Sequence, residues 1–295
     1  MYKAIGCIVT SALFFALMNM FVSLSGEVPT VQKTFFRNFF ALIIASGVMI
    51  RNRCSVVPPK GARVDLVMRA AFGFAGMLGN FYALSRLTVS DASMLNKMSP
   101  FFAIVFSAIV LKERADKVQW SLVAAAFLGA MLVIKPSFHN AELIASCAGF
   151  FGGVCAGAAY TFVRRITQKG VKGYYVVFFF SAFSTLAALP FVVFGYSPMS
   201  AEQWAYLIAA GICAAVGQFT ITAAYSFAPA REVSVYDYSQ IIFAALLGFF
   251  VMGQIPDVLS VAGYAVIIAA AVVMFKYNNR GSGAPEKGKN NFMAE

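Results

Sequence analysis

Residues 174–194 read YYVVFFFSAFSTLAALPFVVF, 21 positions without a charged side chain. Coiled as an α-helix at 1.5 Å per residue, the segment is about 31 Å long, the thickness of a bilayer's hydrocarbon core. It is one of ten such stretches. The others lie at 4–24, 34–50, 66–85, 92–111, 118–134, 143–162, 203–226, 233–252 and 258–275. Ten spans in 295 residues leave almost nothing outside the membrane. Function must then reside among the helices, which favours moving a solute over soluble chemistry. In hydrocarbon each backbone N–H and C=O has to be satisfied within the protein, so only helices or closed barrels span. Barrel strands are shorter and alternate in polarity, unlike these runs. The expected fold is an all-α membrane protein of ten transmembrane helices, numbered here as spans one to ten.

Composition agrees: 60% of residues are hydrophobic and 12% charged, too apolar for a soluble domain. The net charge of +11 raises the question of nucleic acid, and its placement answers it. With the N-terminus inside, one side holds Lys3, Arg51, Arg53, Lys60, Arg63, Arg69, Lys112, Arg114, Lys117, Arg164, Arg165, Lys169, Lys172, Arg231, Lys276, Arg280, Lys287 and Lys289. The other side holds Lys33, Arg86 and Lys135, and Arg37 and Lys97 lie within helices. This positive-inside bias places both termini in the cytoplasm of a cell inner membrane and requires an even number of spans. Anionic lipid headgroups are sufficient partners for the basic face, and no nucleic-acid partner is expected. The first span leads into nine more and lacks an obvious small-x-small cleavage site, so it reads as a helix rather than a secretory signal.

Shifting the chain by 140 residues lays the spans on one another. Cys7 meets Cys147, Phe39-Phe40 meets Phe179-Phe180, Ser99 meets Ser239 and Val133 meets Val273. Identities are few; the hydropathy register carries the repeat. A unit of five spans is odd, so the second copy enters from the opposite face, as in the inverted repeats of secondary transporters. The expected organisation is a first repeat over 1–137, a second over 138–276, and a disordered cytoplasmic tail over 277–295, rich in Asn, Gly and Lys. The longest loop, 51–65, carries Pro58, Pro59 and Gly61. Of five cysteines, four lie in spans and Cys54 in an inner loop, so no structural disulfide is expected.

Glycines mark close helix approach. Gly149, Gly153 and Gly157 share one face of span six, and Gly76 and Gly79, with Gly73, mark span three. Packing is the plainer reading; room for a cavity or for sliding helices is the functional one. Charge at depth is costly and faces the bundle interior. Arg37 lies one turn inside span two, where snorkelling to the outer headgroups accounts for it. Lys97 and Asp237 lie five and four residues into spans four and nine, roughly 6–8 Å from opposite faces, and the 140-residue shift maps one onto the other. Asp237 is the only carboxylate inside a span so drawn. Asn96, Ser99, Tyr236 and Gln240 flank the pair, and Asn19, Asn80, Tyr160 and Gln218 add polar groups at mid-depth. Pro100 removes a helical hydrogen bond beside them, kinking or opening span four. Two readings stand: the pair holds the bundle together, or it lines a solute pathway.

No enzyme constellation appears. His139 is the one histidine, which excludes a multi-histidine metal site, and no cofactor or phosphate loop is indicated. The motifs Ala83-Leu-Ser-Arg-Leu, Asp91-Ala-Ser-Met-Leu-Asn-Lys-Met-Ser-Pro100 and Leu111-Lys-Glu113-Arg, with Gly129 and Lys135-Pro, resemble the drug/metabolite transporter superfamily, and within it the EamA-type family. So do Ser234-Val-Tyr-Asp237-Tyr-Ser-Gln, Gly248, Met252-Gly-Gln254-Ile-Pro256 and Arg37-Asn-Phe-Phe-Ala. Gln254 departs from the pattern, which has Glu there, so that glutamate's structural role is carried over only to Glu113. The resemblance implies ten helices around a central cavity built by spans one, three, four, six, eight and nine. It implies a small-molecule cargo such as an amino acid, a nucleotide-related metabolite, a sugar or a drug. The Tyr-Asp-Tyr-Ser-Gln stretch resembles a branch that includes S-adenosylmethionine carriers. The rival class is a non-transporting membrane scaffold or sensor subunit; a homodimer is left open.

Overall fold

The computed structural model describes residues 2–53, 57, 60–110, 116–134, 140–227 and 234–280, and these form helices and no strand. The helices are α1 Tyr2–Leu24, α2 Thr30–Arg51, α3 Arg63–Leu84, α4 Val89–Asn96, α5 Ser99–Val110, α6 Lys117–Ile134, α7 Asn140–Gln168, α8 Gly173–Phe194, α9 Ala201–Phe227, α10 Ser239–Met252 and α11 Val258–Arg280. A 3-10 turn, Ser234–Tyr238, runs straight into α10. Eight helices, with α4 and α5 taken as one, are long and apolar enough to cross a membrane, and Tyr236–Met252 is a shorter apolar helix. Among the described residues, length and composition alone therefore support eight of the expected ten. The helix α3 has the length but carries Arg69 and Asn80 within its apolar stretch. The tail begins later than expected, because α11 continues to Arg280. Cys54, Pro58, Pro59, Glu113, Lys135, His139, Arg231 and the tail 281–295 lie outside the described residues.

Local chemistry sets the helix ends. The Thr88 side chain accepts from the Asp91 amide at the start of α4. Asp116 and Gln119 exchange side-chain-to-backbone hydrogen bonds before α6, and Ser200 and Gln203 do the same before α9. These reciprocal capping boxes satisfy amides that a helix start leaves free. Gly253, at φ 64°, closes α10 in the left-handed conformation that favours glycine.

The two halves are interleaved. The helix α3 packs along α7, and α1 along α9; these two pairings exchange when each span is replaced by its counterpart five spans away. The pairs α2 with α8 and α6 with α11 map onto themselves. Glycine makes the approaches possible. A Cβ on Gly153 would lie 2.5 Å from the Leu95 carbonyl oxygen, one on Gly157 2.6 Å from the Phe102 Cβ, and one on Gly149 3.0 Å from the Ala83 Cβ. Gly76 and Gly79 meet the α7 backbone at Gly152 and Ala148. In a bilayer, where lipid is as apolar as leucine, such close van der Waals contact is a main source of helix association. An apolar cluster of Met94, Leu95, Met98, Phe101, Ile267 and Met274, among others, fills the space where α4, α5 and α11 meet.

Candidate functional site

A broken helix and a 3-10 turn face each other at the centre. The helix α4 stops at Asn96 and α5 starts at Ser99, so Lys97 and Met98 form the break. Pro100 is the second residue of α5, where its missing N–H costs nothing. The corresponding part of the second half is the 3-10 turn holding Asp237. Across the gap the Lys97 ammonium is bonded to Asp237 Oδ2, and both side chains are buried. The Tyr238 hydroxyl donates to the Lys97 carbonyl at 3.1 Å, giving a partner to one acceptor that the break exposes. Asn19 Nδ2 on α1 donates to Ser93 Oγ on α4 at 3.0 Å.

The remaining polar capacity is large. Asp237 Oδ1, Asn19 Oδ1, Asn80 Oδ1 and Ser239 Oγ are buried and have no hydrogen-bond partner among the described residues. Buried polar atoms are nearly always satisfied, so this concentration marks a place built for something besides packing. Tyr160, on α7, has 41% of its surface accessible.

The other expected site residues divide. Gln240 is buried, and Gln218 and Asn96 are partly so. Ser99 is buried against α7, its carbonyl 2.8 Å from where a Gly157 Cβ would lie. Tyr236 turns an edge toward Phe275 on α11, with ring centroids 6.3 Å apart. Gly76, Gly79, Gly149, Gly153 and Gly157 lie in helix contacts. The structure therefore joins Lys97 and Asp237 directly and Asn19 to their neighbourhood, and places Ser99 and the glycines in packing.

Several charges sit elsewhere than expected. Asp237 is not alone: Asp65 in α3 and Asp91 in α4 are also buried within helices, because both helices begin earlier than the hydropathy bounds. Asp65 pairs with Lys169 at 2.6 Å and Arg165 at 3.5 Å. Asp91 accepts from Tyr264 at 2.7 Å. Arg37 does not snorkel, and Arg69 is not a cytoplasmic charge. Both are buried, with guanidinium carbons 5.9 and 4.1 Å from the Phe180 ring centre. A charged arginine at mid-helix costs roughly 2.5–3.5 kcal/mol on an insertion scale, so two without an acid partner need a reason. The available signal was Arg69's position inside the apolar stretch 66–85. Gln254 also has a role the sequence did not give it: its side-chain oxygen accepts the Val89 amide at 2.9 Å, tying the second half to the start of α4.

A separate recess of about 490 Å³ lies at one end of the bundle, lined by Ser23, Glu27, Tyr82, Arg86, Thr88 and Gln254, among others. Neither Lys97 nor Asp237 lines it. Around this end the halves are knit by Gln32 with Ser197 (2.8 and 2.9 Å), Ser25 with Gln203, and Asp91 with Tyr264. Among the described residues no three His, Cys, Asp or Glu side chains converge as a metal site.

Comparison with known proteins converges on one family. The EamA-like transporter family model matches twice, at residues 2–135 and 143–276. A pseudopaline exporter of Pseudomonas aeruginosa is 30% identical over 272 residues, covering 90% of this chain and 93% of that protein. Human solute carrier family 35 member G1 is 23% identical over 279 residues, covering 89% and 76%. A crystal structure at 20% identity superposes with a TM-score of 0.69, covering 94% of this chain and 99% of the other, and so shares the fold. The chain belongs to the EamA-like transporter family, and is a multi-pass membrane transporter rather than an enzyme.

Proposed function

We propose that the chain is a secondary-active transporter, moving a small polar or zwitterionic organic metabolite across the cytoplasmic membrane by alternating access. Amino-acid-like and S-adenosylmethionine-like solutes are the cargo classes that fit. The observation that carries this reading is the buried Lys97–Asp237 ion pair, which bridges the two halves between the break in α4–α5 and the 3-10 turn before α10. A pair that only held the bundle together would not need an interrupted helix and unsatisfied polar atoms around it. Lys97 holds one oxygen of Asp237, and Oδ1 stays without a partner among the described residues. That oxygen is the acceptor for an ammonium group on the cargo.

The double family match and the exchangeable pairings of α3–α7 and α1–α9 support two inverted five-span repeats over 1–137 and 138–276. In this reading α3 and the 3-10 turn with α10 complete ten crossings, and both termini are cytoplasmic. The polar residues that keep α3 below a simple membrane criterion are ones that face the centre. Energy comes from a solute or proton gradient. The test is uptake of labelled neutral, zwitterionic and cationic amino acids and S-adenosylmethionine into proteoliposomes. Saturable uptake that Lys97→Met and Asp237→Asn reduce at least tenfold supports the reading. Uptake unaffected by either substitution contradicts it.

A further inference from the structure

Arg37 and Arg69 both lie in the N-terminal half of their helices and converge on one ring. Arg37 is the eighth residue of α2 and Arg69 the seventh of α3, each roughly 9–11 Å along its axis from the nearer end. Both guanidinium groups reach the ring of Phe180 on α8, which holds them by cation–π attraction. Arg37 Nη1 donates to Asn38 Oδ1 at 2.8 Å. Nε of each arginine is buried and without a partner among the described residues. The buried acids are engaged elsewhere: Asp65 with Lys169 and Arg165, Asp91 with Tyr264, Asp237 with Lys97. With no acid partner among the described residues, the two arginines leave this corner doubly positive.

The fold itself does not call for this charge. Adding 140 to 37 and 69 gives Val177 and Ala209, both apolar. The local packing is nonetheless repeated. Phe180 lies against Gly73, 2.8 Å from where its Cβ would be, and Phe40 lies against Gly211 at 2.5 Å. One half therefore builds this corner without arginine, and the other adds two. A planar guanidinium is shaped to bind a carboxylate with paired hydrogen bonds.

We propose that Arg37 and Arg69, stacked on Phe180, are the receptor for an oxyanion of the cargo, and that the cargo is a small organic acid carrying at least two acidic groups. The assignment rests on the transport reading of the centre. Lys97 is occupied by Asp237, so the acid-binding role falls to the arginines. An amine on the same cargo meets Asp237 Oδ1, and its acid groups meet the doubly positive corner.

The test is thermal unfolding of the purified full chain in a neutral detergent, with succinate, its neutral diamide succinamide, inorganic phosphate or phosphatidylglycerol added. A ligand that binds the folded state raises the unfolding temperature by mass action. Succinate is expected to stabilise the wild type and succinamide to have no effect. Arg37→Gln and Arg69→Gln are expected to need roughly tenfold more succinate or beyond for the same rise, the loss typical of a charge-assisted hydrogen bond. Without ligand both variants are expected to unfold no earlier than wild type, since each removes an unpaired buried charge. Phosphate acting through the same arginines also supports an oxyanion receptor. Four results overturn the proposal: equal responses to succinate and succinamide, Gln variants that respond like wild type, Gln variants that do not fold, or stabilisation by phosphatidylglycerol alone. A succinate response that persists in Asp237→Asn, in a protein that transports nothing, removes the transport reading and leaves the oxyanion site.

Discussion

At the scale of single residues, the energetics turn on charges that have left water. Removing one member of a buried ion pair strands the other, at a cost of about 3–5 kcal/mol. Lys97→Met and Asp237→Asn are therefore each expected to lower the unfolding temperature in detergent markedly. The double variant Lys97→Met/Asp237→Leu is expected to recover most of that stability while transporting nothing. A double variant as unstable as the singles would show that the pair's value lies in packing. This pair was legible from sequence because two opposite charges fell at one repeat offset, 140 residues apart. The arginines were not. Sequence position gives the depth of a Cα, and a side chain as long as arginine's runs toward the headgroups or toward the centre with equal ease. What turned Arg37 and Arg69 inward is Phe180, more than a hundred residues away in the chain.

At the scale of elements, close approach decides what a substitution costs. Gly153→Val drives new atoms into the Leu95 carbonyl and Met98, and overpacking of this kind costs about 1–3 kcal/mol or more. Gly6→Ala and Gly47→Ala meet nothing within 4 Å and are expected to be neutral, or to stabilise by up to ~1 kcal/mol through helix propensity. Unfolding temperatures of the three variants check this; a harmless Gly153→Val would deny the α4–α7 contact. Gln254→Ala removes the acceptor of the Val89 amide and is expected to cost about 0.5–2 kcal/mol, as lost helix caps do. Gln254→Glu keeps an acceptor and is expected to retain stability. The glycine faces could be read from spacing of four, and the break in α4 from Pro100. The 3-10 turn Ser234–Tyr238 carries no proline. It follows from packing against α1 and α11, which local sequence does not encode. The role of Gln254 was hidden because its partner, Val89, is 165 residues away.

At the scale of the whole molecule, the bundle was legible because each span is an almost unbroken apolar run. The orientation proposed for it in the membrane rests on where the lysines and arginines fall. A Pro198→Cys variant, in the exposed α8–α9 connection, is expected to react with an impermeant thiol reagent added outside, and Cys54 is not. Labelling of Cys54 in sealed right-side-out vesicles would invert the orientation. The helix count was the less legible part, because the polar residues that put α3 short of a membrane criterion are drawn inward by the centre. The central claim is that this centre is a solute pathway. Its most direct test is to incubate proteoliposomes holding the full chain with a total small-molecule extract of cells, wash them, and identify their contents by mass spectrometry. Enrichment of a small class of zwitterionic or acidic metabolites over protein-free liposomes is expected, and its loss in Lys97→Met/Asp237→Leu proteoliposomes. Contents indistinguishable from protein-free liposomes, or enrichment that survives loss of the pair, would contradict it.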